Sequence, residues 1–567
     1  MPRPGHLLPS LALLTAPLPV IAAPAAWPAD KESLAALATA PDNALAVALK
    51  AKSDDLFSKK NFADAVALRR LSRLVAFMAE NTLPDGLRGW MGANREEAEE
   101  FALLLGEHDD EPRVAGILTR LWTGDEKGFR AQPRLALAIA LVYDKPCPAR
   151  FPHGQVAASA LPRRLHDPAE AFAFFKESAE GGRLAQNPQK LGLDELAFVV
   201  PVLAPFKELR EAQRNRITRA DIPKLYPGIT YDHSRLRNRE YAWPGASYTL
   251  ADIKARGGIC VDQAYFTATT AQAFGVPAFI LSGSGNDGFH AFVGFLERPG
   301  KWRMDVGRYP EQKYASGEAW NPLTWETLTD HDLAFLQERI RNTPAYAAVL
   351  LHVEKAREAL AAGDTAAAEK LLGTARNTEP RCPEVWAALA ELAEKRGDAP
   401  EKRRTLYADA AKALSKYREL EVNWRERLAD AYEKDGKPEK AFDERTVILR
   451  RSAKARPDLA VEQAREMLLK VLADRDSKDA RKIVPVFNRL ANQFDEAGPE
   501  FFTKLVYPFV HHLMKEGLKT EAKQVARSVS QRFKAGKGSQ LEEMQKEITE
   551  WVAAGELRNS QFFKAGN

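Results

Sequence analysis

At 567 residues the chain is too long for one hydrophobic core and should divide into several domains. Its composition is that of a soluble globular protein, 45% hydrophobic and 28% charged. A net charge of +5, from 82 basic and 77 acidic side chains, carries no block of like charge that would demand nucleic acid. Three cysteines are too few for disulfides to define the fold.

The chain opens on Arg3, an uncharged apolar run from Leu7 to Ile21, and small residues at Ala22, Ala23, Ala25 and Ala26. This reads as an export signal over residues 1–26, the alternative being a disordered leader rich in Pro and Ala. No later stretch reaches the roughly 20 apolar residues of a membrane span. The expected mature protein is therefore exported, periplasmic or extracellular, with no integral membrane segment.

Residues 31–216 read as an all-α region. Leu56, Phe57, Phe62, Ala65, Val66, Leu68 and Leu71 recur at helical spacing, and so do Leu135, Leu137, Ile139, Ala140 and Val142. Breakers such as Pro84-Asp85-Gly86 punctuate it, and Cys147 lies in a proline-rich loop. Residues 217–335 change in texture, with frequent aromatics, Gly and Pro and short strand-like runs. Residues 343–560 are helical again. Ala362-Gly363-Asp364 and Arg396-Gly397-Asp398 stand 34 residues apart, the period of a tetratricopeptide helix pair, but Asp435-Gly436-Lys437 follows 39 residues later. The pattern is that of an irregular helical-repeat array, with a plain bundle as the alternative. Cys382 lies beside a proline in this region, and its pairing with Cys147 is left open by the sequence.

The chemistry concentrates in the middle segment. Arg256-Gly257-Gly258-Ile259-Cys260 allows a tight bend before the cysteine. A helical pattern then places Ala264, Ala268 and Ala271 on the cysteine's side, and Phe274, Gly275 and Pro277 end it. At that helix start, unsatisfied N–H groups and the dipole favour thiolate and offer an oxyanion donor. Phe279-Ile280-Leu281 reads as a short strand, Ser282 to Gly288 as a turn, His290 to Phe295 as a strand, and Arg298-Pro299-Gly300-Lys301 as a hairpin into Trp302–Val306. His290 and Asp305 would then stand on adjacent antiparallel strands, with Cys260 brought against them by the helix.

These residues resemble the transglutaminase-like superfamily, a branch of the papain-like thiol fold. Its Gly-x-Cys motif corresponds to Gly258-Ile259-Cys260, its histidine to His290, and its aspartate after an aromatic residue to Asp305 in Trp302-Arg303-Met304-Asp305. The separations of 30 and 15 residues also fit. Ala291-Phe292 departs from the Trp or Tyr usual after that histidine, and neither flanking helical region is explained. The resemblance implies an α+β fold, a central helix packed on an antiparallel sheet, set between two mainly α-helical regions. It also implies a Cys260, His290, Asp305 triad performing acyl transfer or hydrolysis on a protein or peptide substrate.

Trp243, Tyr248 and Gln263 are candidates for a second oxyanion donor. No EF-hand-type acidic loop is present, since Asp262, Asp287 and Glu297 are scattered, and hydrolysis is slightly favoured over transamidation. A zinc site on the same three residues lacks a fourth ligand, and no cofactor is expected. Asp232-His233, His511-His512 and Gly283-Ser284-Gly285 read as structural. The reading from a different class is a non-catalytic cell-envelope scaffold that binds a protein partner along its C-terminal helices.

Overall fold

The structure, a computed structural model, describes residues 43–563 apart from positions 286–287, 309–314, 330–331, 334, 336–337, 455, 474–476, 497, 557–559 and 561. The expected export signal, residues 1–26, lies outside the described residues, and so does Asp287. The protein is mainly helical, with one five-stranded antiparallel sheet in the middle of the chain, α+β overall.

Its residues fall into two compact units, Met1–Leu281 with Ala291–Gly307 and Glu318–Leu392, and Ser282–His290 with Arg308–Gly317 and Ala393–Asn567. In the first unit, short helices follow one another from Asn43–Ser58 and Phe62–Glu80 through Asp85–Ala93, Arg95–Leu104 and Glu111–Gly124 to Pro133–Tyr143 and Pro168–Glu180. Several begin where the sequence dictates. Asp110, Asp125 and Asp167 each accept a hydrogen bond from a backbone N–H of the first turn, and Pro occupies that turn in three of these helices. Pro133–Tyr143 is apolar on every side, and all of it except Arg134 is buried. A helix of that kind is stable only at the centre of a core. One apolar core runs from Ala46 to Trp325, through the N-terminal helices and the sheet segment alike.

The strands are β1 (Ala278–Gly285), β2 (Gly288–Arg298), β3 (Lys301–Val306), β4 (Ala315–Trp320) and β5 (Thr327–Thr329), in the order β3-β2-β1-β4-β5. β2 and β3 form the expected hairpin, Arg298 opposite Lys301 and Val293 opposite Val306, with irregularities in register between. β1 and β2 reach further into the Gly-rich turn than the sequence suggested, and β4 and β5 were not foreseen. The sheet packs against the helix Leu250–Arg256, and Gln272 of the helix Cys260–Ala273 donates to the Ala278 carbonyl at the start of β1 at 3.0 Å.

Helix Pro344–Ala361 closes on Phe62–Glu80. Ala65 and Val66 meet Ala347 and Leu351, and buried Arg69 reaches Glu354 at 2.7 Å and Glu358 at 2.6 Å. From there the chain runs as a series of helices. Gly363, Gly397 and Gly436, with φ of 83°, 64° and 68°, each join two consecutive helices. Left-handed backbone at these joints is what glycine tolerates and other residues resist. In the second unit, buried Glu421 binds Arg425 at 3.0 Å and Arg451 at 2.8 Å, while Arg445 sits between Asp430 at 2.7 Å and Glu433 at 2.6 Å. Ionic clusters thus join apolar packing in holding these helices together.

Glu99 on Arg95–Leu104 is 4% exposed, and neither carboxylate oxygen has a hydrogen-bond partner among the described residues. Burial pushes its carboxyl up from 4.5 to about 7, against the pull of Arg70. The folded state therefore keeps a proton that the unfolded chain releases, and stability is lost as pH rises through that window. Glu99→Gln removes this loss. Relative to the wild type, it is expected to gain on the order of 1–2 kcal/mol between about pH 5 and pH 8. Denaturation midpoints across that range are the check, and a pH-independent difference between the two proteins would contradict the assignment.

Candidate functional site

The segment before the thiol is shaped by two glycines with different duties. Gly257 has φ of 78°, and a Cβ there would lie 2.4 Å from the Thr230 carbonyl oxygen. At Gly258 a Cβ would lie 2.4 Å from the Asp262 Cβ. The Gly258 N–H donates to Thr230 at 2.9 Å, and its carbonyl accepts from the Asp232 N–H at 2.9 Å, so this stretch pairs briefly with Tyr231. Asp262 then accepts from the Ile259 N–H at 2.9 Å and closes the first turn. Cys260 is the first residue of the helix. Ala264, Ala268 and Ala271 are buried along it, and Phe274 followed by Gly275 at φ of 73° ends it.

Asp262 is fully buried. Arg235 Nη1 donates to its Oδ2 at 2.7 Å, and the Tyr248 hydroxyl donates to its Oδ1 at 2.8 Å. Arg235 comes from the short helix His233–Asn238, which Asp232 caps. Its remaining N–H groups donate to the carbonyls of Glu240 at 3.1 Å, Tyr241 at 3.2 Å and Ala242 at 3.1 Å. Its guanidinium lies 5.6 Å from the Trp243 ring centre.

Behind Tyr248 stands His153, with Nε2 at 3.1 Å from the hydroxyl. Burial pushes His153 down to about 3, so its ring is neutral. Nδ1 accepts from the Gln155 N–H at 3.3 Å, which leaves the proton on Nε2 to donate to Tyr248. Burial, followed by the Asp262 charge, holds the Tyr248 phenol well above its usual range. The chain of donors therefore runs in one direction, from His153 through Tyr248 to Asp262.

The N–H groups of Ala291 and Val261 donate toward the Cys260 sulfur and favour thiolate. Burial works more strongly the other way and, with the nearby Asp262 charge, pushes the thiol above its ordinary value. The expected pull of the helix start toward thiolate is present, and burial outweighs it. Tyr226 ties the same place together, its hydroxyl lying 2.7 Å from the Ala291 carbonyl oxygen and 3.2 Å from that of Cys260.

His290 is buried on β2, one residue before Ala291. Asp305 lies on β3 with its side chain 56% exposed, and it accepts from Arg303 Nε at 2.7 Å. Its neighbour Val306 stands opposite Val293. The three candidates for a second oxyanion donor are all engaged. Trp243 Nε1 donates to Ser247 at 2.7 Å, Gln263 Nε2 to Ile229 at 2.7 Å, and Tyr248 to Asp262. The donors turned toward the sulfur are backbone N–H groups.

An apolar cleft of about 30 Å³ lies along the helix face of Tyr265, Thr269 and Gln272, against Phe198, Phe279 and Trp320. Cys260 is not among its walls, and the space suits a water molecule or two. Cys147 and Cys382 are free, buried thiols held above their ordinary range by that burial. Asp232 serves as a helix cap, His233 rests on Tyr231, and His512 bonds the Ser477 carbonyl at 2.7 Å. Gly283-Ser284-Gly285 lies in β1. Among the described residues no three His, Cys, Asp or Glu side chains are grouped to hold a metal ion.

The chain matches no known protein family, no curated protein and no solved structure.

Breaking the buried ion pair should be felt strongly. Arg235→Leu leaves Asp262 charged and unpaired, and is expected to cost about 3–5 kcal/mol. Urea unfolding followed by tryptophan fluorescence would show it. An unchanged midpoint would mean that the pair does not hold the loop to the helix.

Proposed function

We propose that the protein is an exported, transglutaminase-like thiol enzyme acting on amide bonds of a protein or peptide. Cys260 is the nucleophile, His290 the base and Asp305 the carboxylate that orients the imidazole. The observation that carries this reading is the Tyr226 hydroxyl, which joins the Cys260 carbonyl at 3.2 Å to that of Ala291 at 2.7 Å, because Ala291 is bonded directly to His290. A thiol raised by burial does not ionise at neutral pH without help, so nucleophilic chemistry here requires a base.

In the reaction, the sulfur attacks the amide carbon while His290 takes the thiol proton. The C–N bond breaks, His290 passes that proton to the leaving amine, and a thioester remains. Water or an amine then attacks the thioester, gives a proton to His290, and releases the thiolate, which recovers that proton. Water as acceptor, giving a peptidase or amidase, is the favoured outcome. Backbone N–H groups at the helix start are the oxyanion donors of this scheme.

A second reading is a non-catalytic cell-envelope scaffold that binds a partner on the C-terminal helix series. The raised thiol and the engagement of Asp305 with Arg303 favour it. No helix among the described residues is long and apolar enough to cross a membrane, which suits either reading.

Iodoacetamide labelling separates them. The catalytic reading expects Cys260 to label at neutral pH, His290→Ala to slow labelling by about tenfold or more, and Asp305→Asn to cost less, because its carboxylate is half exposed. Cys260→Ala should also abolish amine release from peptide substrates. Slow labelling indifferent to His290, with partner capture undiminished in Cys260→Ala, would establish the scaffold.

A further inference from the structure

The Tyr226 hydroxyl is placed between two carbonyls that belong to different elements, one at the start of the thiol helix and one on β2. A phenol has one proton to donate, and it is shared between Ala291 at 2.7 Å and Cys260 at 3.2 Å. The ring is 4% exposed and belongs to the continuous apolar core. It lies so close to Gly307 that a Cβ there would stand 2.4 Å from its carbons, and Gly307 has φ of 93°. The end of β3 therefore fixes the ring, and the ring fixes the hydroxyl.

The two residues whose carbonyls Tyr226 gathers are the thiol residue and the residue whose N–H donates to the thiol sulfur. We propose that Tyr226 is a positioning residue for the nucleophile, its hydroxyl holding β2 against the helix start and so fixing where Cys260 stands relative to the strand. The inference deepens the thiol reading and rests on Cys260 being the reactive group. It does not depend on the identity of the substrate or on which acceptor completes the reaction.

The charged and titratable groups concerned are few. Asp262 lies on the thiol's own helix, with Arg235 neutralising it from the His233–Asn238 helix. Tyr226 comes from the segment preceding that helix, and His290 precedes Ala291 on β2. Tyr226 is joined through its hydroxyl to both the thiol residue and the strand. Without its hydroxyl, helix and strand keep their apolar contacts but lose the shared anchor. The N–H on the sulfur is then held less firmly, and the thiolate loses stabilisation.

Tyr226→Phe keeps the ring in its slot beside Gly307 and removes only the hydroxyl. The rate of Cys260 alkylation by iodoacetamide, measured across pH on the full chain, is expected to fall about fivefold at neutral pH. The profile should shift to higher pH while the thermal midpoint stays close to that of the wild type. A profile superimposable on the wild type would overturn the role of Tyr226. The thiol reading would fail separately, by an alkylation rate indifferent to His290→Ala. Should Tyr226→Phe destabilise the fold, Tyr226→Leu serves as the control. Equal shifts in both variants, tracking the loss of stability, would assign Tyr226 a packing role and also overturn the proposal.

Discussion

The Asp262 carboxylate has almost no contact with water, and the geometry around the thiol follows from how its charge is satisfied. Its side chain is 1% exposed and that of its partner Arg235 4%. Removing two such ions from water costs several kcal/mol each, and their attraction repays this only where the remaining donors and acceptors are also met. Here they are met from every side. Asp262 takes donors from Arg235, Tyr248 and the Ile259 N–H, while Arg235 spends its other N–H groups on three successive carbonyls. The loop of residues 240–242, the turn before the helix and the first residue of the helix are thereby fixed to one another. Gly258 is needed because a side chain there would collide with Asp262.

This arrangement explains which parts of the protein the sequence revealed. The bend, the helix from Cys260, and its end at Phe274 and Gly275 were legible because each depends on residues close in sequence. The β2–β3 hairpin was legible for the same reason, and so were the glycine joints of the C-terminal helices. What joins distant residues was not legible. Asp262 drew attention only as a possible calcium ligand, and Arg235 and Tyr226 not at all, since nothing local marks a side chain that closes a gap 27 or 34 residues long. Tyr248 and Gln263, two of the candidates for a second oxyanion donor, instead satisfy buried acceptors. β4 lies in Ala315–Trp320, which has no β-branched residue, and β5, Thr327–Thr329, is only three residues long.

The thiol shows two opposing physical effects in one place. A helix start and a strand N–H stabilise negative charge on sulfur, and burial with a neighbouring carboxylate opposes it. Burial prevails, and the thiol lies above its ordinary value. In the proposed chemistry, reactivity then depends on the imidazole that precedes Ala291 in the chain. This couples the proposed chemistry to the strand as well as to the helix, which gives the Tyr226 hydroxyl its significance.

The most direct measurement is the ionisation of Cys260 itself, read as thiolate ultraviolet absorbance in the difference between the wild type and Cys260→Ser over a range of pH. The account predicts that the wild-type thiolate forms above the ordinary free-thiol value of about 8.5, and that in His290→Ala, which lacks the imidazole to share the proton, it forms at higher pH still. Coincident titrations of the two proteins would contradict the pairing of sulfur and imidazole on which the proposed function rests.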